Sequence, residues 1–138
     1  MGNHEKAVLS KKNKYYISKH RYYELKHFCL QYNEWIEELK KLDSQGRRSS
    51  GGEIHSDPQF SDPTAEIAMR RSQLQQNIEM IKDAAILTDR VLFNYLIKAV
   101  TEERSYVYLR EVLSIPCCKD TFYEAYRHFF WILSKLRR

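Results

Sequence analysis

Residues 119–128, KDTFYEAYRH, carry Lys119, Thr121, Tyr123, Glu124, Arg127 and His128 on the polar positions of a predicted helix. Nearly all are hydrogen-bonding groups long enough to reach base edges in a major groove. Arg127 is the best placed for a base contact, with Thr121 and Tyr123 nearer the helix start. Lys119, Arg110 and Arg104 would take phosphates, and Lys135, Arg137 and Arg138 would touch the duplex backbone. Asp120 reads as the N-cap or as a first-turn acid, and the free N–H groups of a helix start favour a phosphate. The same pattern also fits a solvated polar face on a core helix. Phe122, Tyr126, Phe129, Leu133 and Leu136, spaced three or four apart, form core under either reading.

The elements that would position this helix follow from punctuation. Ser105 is a predicted N-cap for a short helix over SYVYLREVLS, and Ile115 in SIPCC plugs the turn after it. Tyr95, Leu96, Ala99 and Val100 give an apolar face to the helix before. Helices this short do not stand alone, so 91–138 is expected to pack as a trihelical helix-turn-helix unit. Upstream, Leu25, Phe28, Tyr32, Leu39 and Leu42 share one face of a helix over 18–43. Gly and Ser in 44–61 predict a linker. Asp62-Pro63 starts a long helix over 62–90, with Ile67, Leu74, Ile78, Ile81 and Ala85 close to a 3.5-residue period. Residues 1–17 read as a mobile basic arm. The expected fold is therefore all-α: a long antiparallel helical hairpin, then a C-terminal three-helix helix-turn-helix unit. The hairpin helix 18–43 packs either within the chain or against a second copy in a homodimer.

Charge separates the chain into three parts. The net charge is +5, made of +5 over residues 1–28, −4 over 29–103 and +4 over 104–138. Basic ends suit a polyanion, with double-stranded DNA the commonest partner; a surface that is merely basic is the other reading. Three cysteines, Cys29, Cys117 and Cys118, suggest reduced thiols and a cytoplasmic protein. No apolar run reaches membrane-spanning length, and the first residues lack the apolar core of a secretion signal. No catalytic, cofactor or metal constellation emerges: the five histidines are scattered, and Cys117, Cys118 and His128 are too few for a zinc site. Tyr15, Tyr16, Tyr22 and Tyr23 lie beside lysines and would either stack on bases or cover a small core.

The C-terminal third resembles a known family. Ser105–Leu109, Ile115, Asp120-Thr121-Phe122-Tyr123, Arg127 and Phe129-Phe130 are similar to the end of ArpU/RinA-like late-gene activators from phages of Gram-positive bacteria. The resemblance covers about residues 91–138. It implies a sigma-factor-like helix-turn-helix, DNA as partner, and RNA polymerase or a sigma factor as a further one. Residues 22–39 also resemble the N-terminal helix of short prophage-encoded proteins. One position departs from the pattern: Tyr108 or Leu109 stands where such motifs place a small residue for close helix approach. The expected function is a phage-type DNA-binding transcriptional regulator and not an enzyme. A small DNA-packaging subunit, like that of a terminase, and a helical interaction module without DNA binding are the alternatives.

Overall fold

The structure, a computed structural model, describes residues 3–49 and 63–138. Among these there are seven α-helices and no strand: α1 Asn3–Leu9, α2 Lys19–Leu30, α3 Tyr32–Ser49, α4 Pro63–Thr88, α5 Phe93–Glu102, α6 Tyr106–Glu111 and α7 Lys119–Leu136. The all-α class is thus as the sequence predicts. No described helix is long and apolar enough to cross a membrane. The helices divide into two compact units, one from Met1–Gln31 with Met80–Arg138, the other from Tyr32–Glu79.

The larger unit is built around α7. Phe122, Phe129, Phe130 and Leu133 are fully buried there, and Tyr123 and Tyr126 are nearly so. Each large apolar side chain removed from water stabilises the fold by about 1.5–3 kcal/mol. The predicted stripe at 122, 126, 129 and 133 lies in this core, whereas Leu136 is exposed. Tyr123 and Phe130 widen the buried arc because α1, α2 and α5 all pack against α7. From α2, Tyr22 sets its ring edge against Phe130 with centroids 5.0 Å apart. Its hydroxyl pairs with that of Tyr126 at 3.1 Å in the core. Burial pushes the Tyr22 phenol up to about 12 and holds Tyr126 well above its ordinary value, so both stay neutral. Arg21 closes the far end of α7. It donates to the Ser134 carbonyl at 3.0 Å, to the Ser134 hydroxyl at 3.2 Å and to the Arg137 carbonyl, meeting acceptors the helix leaves free.

Local chemistry sets the remaining boundaries of this unit. Helix α4 stops at Thr88, just before Asp89. The Asp89 Oδ1 accepts from the backbone N–H of Val91 at 2.7 Å and Leu92 at 2.9 Å, ending α4 and starting α5. Glu103 ends α5 in the left-handed region at φ 54°. Ser105 then caps α6, its hydroxyl accepting from the Tyr108 N–H at 3.2 Å. In the turn, Ser114 is also left-handed at φ 54°, and Ile115 is buried with its N–H on the Leu109 carbonyl at 3.0 Å. Cys118 is the N-cap residue of α7, which leaves Asp120 in the first turn.

The N-terminus departs from the expectation of a mobile arm. Residues 3–9 form α1, and the chain lies against α7 as far as Tyr15. Val8 is fully buried and Ile17 nearly so. Lys26 of α2 fastens this segment, reaching Glu5 and Glu103 at 3.4 Å each.

In the smaller unit, Tyr32, Trp35, Leu74 and Ile78 are buried. Arg70 forms a bidentate pair with Glu38 at 2.8 and 2.9 Å, and Arg71 reaches Asp43 at 2.7 Å. The helix predicted over 18–43 is broken between α2 and α3 at Gln31, whose N–H turns back to the Phe28 carbonyl at 3.3 Å, a tighter 3₁₀-type closure. Residues 44–49, predicted as linker, continue α3. The rest of that linker and the Asp62 cap lie outside the described residues.

Candidate nucleic-acid interface

Where α1 and the chain after it cross α7, basic side chains gather. An open cleft of about 490 Å³ is lined by Lys12, Lys14, Tyr15, Glu124 and Arg127, among others. A second, of about 350 Å³, is lined by Lys6, Lys119, Asp120, Tyr123 and Arg127. The clefts share Ala7 and Arg127, so they form one continuous face. Five cations stand there against two acids. Lys14 is paired with Glu124 at 3.5 Å. Lys6, Lys12, Lys119 and Arg127 make no ion pair among the described residues. Arg127 is half-buried between the two clefts and shares them with Glu124 and Asp120 without forming an ion pair to either. A face of this kind attracts phosphate, because each unpaired cation gains a partner when a polyanion arrives.

The predicted site residues do not share one open face. Lys119 and Thr121 are exposed at the start of α7, with the Thr121 hydroxyl 3.2 Å from the Cys118 sulfur. Tyr123 is buried beside the His4 ring, centroids 5.4 Å apart. Glu124 is held by Lys14. His128 lies under Tyr15, the rings 4.3 Å apart and within 14° of parallel. Three of the six expected groove-reading side chains are therefore occupied by the N-terminal segment. The predicted phosphate contacts are scattered too. Arg104 stacks on Tyr108 at 4.3 Å and reaches Glu102 at 3.7 Å; Arg110 is paired with Glu111 at 2.8 Å. Lys135 lies over Trp131 and Arg137 over Phe28, each at 4.1 Å, and Arg138 is exposed. Sixteen residues separate Lys119 from Lys135, about 24 Å along the helix axis at 1.5 Å per residue.

Residues that the sequence left aside complete the face. Lys6, Lys12 and Lys14 enter it because Val8 and Ile17 anchor the segment; those two apolar residues were the only signal of docking. His4 packs against Phe122, Tyr123 and Tyr126, the last at 4.6 Å. Burial, then the charge of Lys26, lowers its pKa, with the Arg104 backbone and Glu103 acting the other way. Neither ring nitrogen makes a hydrogen bond of ordinary geometry. Burial and the charge of Lys14 likewise lower His128, against Glu124. Cys118 is exposed, and hydrogen bonds from Thr121 lower its pKa; Cys29 is buried and its thiol is pushed up strongly. No group of three or more His, Cys, Asp or Glu side chains is placed to hold a metal among the described residues. No protein-family model, curated protein or solved structure matches the chain, so the reading of this face rests on its own residues.

Proposed function

We propose that the protein binds double-stranded DNA as a transcriptional regulator of the phage late-gene type, in the cytoplasm. The observation that carries this reading is the convergence of Lys6, Lys12, Lys119 and Arg127, without acidic partners, around the first half of α7. The succession α5, α6, α7 supports a helix-turn-helix-like platform beneath them. In this reading the four cations take phosphates, while Thr121 stands nearest to base edges. α3 with the first part of α4 makes the helical hairpin, whose role is to contact RNA polymerase, a sigma factor or a second copy. Titration of a fluorescent duplex with the full chain at low salt tests the reading. Saturable binding that weakens steeply with added salt is expected; no binding at 50 mM salt would remove it, since phosphate contacts are strongest there.

One observation favours an interaction module as the second reading. Leu87, Val91, Val107 and Val112 are each more than half exposed, which suits protein partners better than a duplex. A ring in a native-mass measurement would instead indicate the DNA-packaging alternative.

A further inference from the structure

We propose that residues 3–17 are a displaceable cover: docked on α7 they hide its base-reading side, and duplex DNA displaces them. The proposal rests on the DNA-binding reading above and adds the regulation of that face. The cover engages the very side chains suited to reading bases. Its Lys14 takes Glu124, its Tyr15 takes His128, and its His4 lies on Tyr123. With the cover seated, α7 offers a duplex mainly cations, and cations recognise phosphate without regard to sequence. Closed, the protein is a non-specific DNA binder; open, Tyr123, Glu124 and His128 become available to base edges.

The attachment is suited to release. The Lys14–Glu124 pair joins two largely exposed groups, a contact that stabilises little and is screened by salt. Tyr15 stacks at the surface, against His128 and the edge of Trp131. Among the cover's described side chains two are buried, Val8 fully and Ile17 nearly so, and Glu5 adds one ion pair, to Lys26 of α2 at 3.4 Å. His4 is partly buried without an ordinary hydrogen bond, an arrangement that holds a segment poorly. The remaining backbone links are local, such as Tyr15 N–H to Asn13 Oδ1 at 2.8 Å, and do not cross to α7.

The cover also has somewhere to go. Residues 3–17 hold Lys6, Lys11, Lys12 and Lys14 against Glu5 alone, a net charge of +3. Lifted from α7, Lys14 is freed from Glu124 and joins Lys11 on the phosphates flanking the site, while Lys6 and Lys12 hold phosphates in either state; opening thus adds base contacts on α7 and two further backbone contacts. A ligand shifts such an equilibrium only through what it binds better in one state, and here both terms favour the open one.

Two substitutions in the full chain test this without changing any charge. Tyr15→Ala removes the surface stack; Val8→Ser removes the buried anchor. Hydrogen exchange reports whether 3–17 has opened while α2, α5 and α7 remain protected. Selection from a randomised duplex pool then reports sequence preference. Both variants should exchange faster over 3–17, and the selected duplex should be preferred over the random pool by about tenfold or more, the discrimination expected from about one correctly read base pair. The parent chain should prefer it far less. If the segment opens and every duplex still binds alike, or if the parent selects the same sequence equally well, the cover does not guard base reading and the inference falls while DNA binding stands. If neither parent nor variants bind any duplex at low salt, the DNA-binding reading itself falls and takes the inference with it.

Discussion

Replacing Arg127 with Ala should change the salt dependence of DNA binding by a computable amount. Arg127 is common to both clefts and is in no ion pair among the described residues. With Lys6, Lys12 and Lys119 it makes four cations free to neutralise phosphates. Each phosphate neutralised on duplex DNA contributes about −0.9 to the slope of log affinity against log salt, so the parent slope is about −3.6. Between 50 and 200 mM salt that slope weakens binding by about 150-fold. Arg127→Ala leaves three contacts, a slope of about −2.7, and a loss of about 40-fold over the same range. Arg127 forms no ion pair among the described residues, so helix content should not change. Anisotropy titrations of one duplex at five salt concentrations measure both slopes. A variant slope equal to the parent's would show that the guanidinium does not touch phosphate, and a parent slope near zero would refute the polyanion argument as a whole.

Other consequences concern the core and the thiols. Tyr22→Phe or Tyr126→Phe alone strands the other buried hydroxyl and should cost about 1–3 kcal/mol, while the double substitution should cost less than the sum; additive urea-denaturation values would contradict the pairing. Acidification should loosen the N-terminal segment. The folded pKa values of His4 and His128 lie below the ordinary 6.5, so the unfolded chain takes protons first, and stability is complete above about pH 6.5 and is lost as pH falls from there towards the lowered values. Exchange of residues 3–17 that is as slow at pH 5.5 as at pH 7.5, corrected for intrinsic rates, would count against this. Cys118 should alkylate faster than Cys117, whose thiol burial raises, with buried Cys29 slowest; peptide mass spectrometry after brief iodoacetamide treatment shows the order.

Periodicity made the helices legible where one face is continuously apolar. The stripe at Phe122, Tyr126, Phe129 and Leu133 needed nothing beyond spacing, and Ser105 announced α6 because a cap is a local hydrogen bond. Pro63 marked the start of α4 because its fixed φ and missing N–H suit the first helical position. The site was less legible. Nothing in KDTFYEAYRH distinguishes a face open to solvent from one beneath another segment. Tyr123, Glu124 and His128 suit either role, since an aromatic or charged group reads alike against a base or against Tyr15 and Lys14. The N-terminal segment misled because one buried side chain per seven-residue helix leaves no period to detect. Its lysines suggested an arm, whereas Val8, Ile17 and the Lys26 ion pairs seat it. The break at Gln31 depends on a local hydrogen-bond choice that a helical pattern overrides on paper but not in the chain.

The most direct test of the central claim is a backbone amide shift map of the full chain during titration with a short duplex at low salt. The account predicts the largest perturbations at Lys6, Lys12, Lys119, Thr121 and Arg127, where the N-terminal segment crosses α7. Perturbations confined to the Lys135–Arg138 end, or to α3 and the first turns of α4, would contradict it.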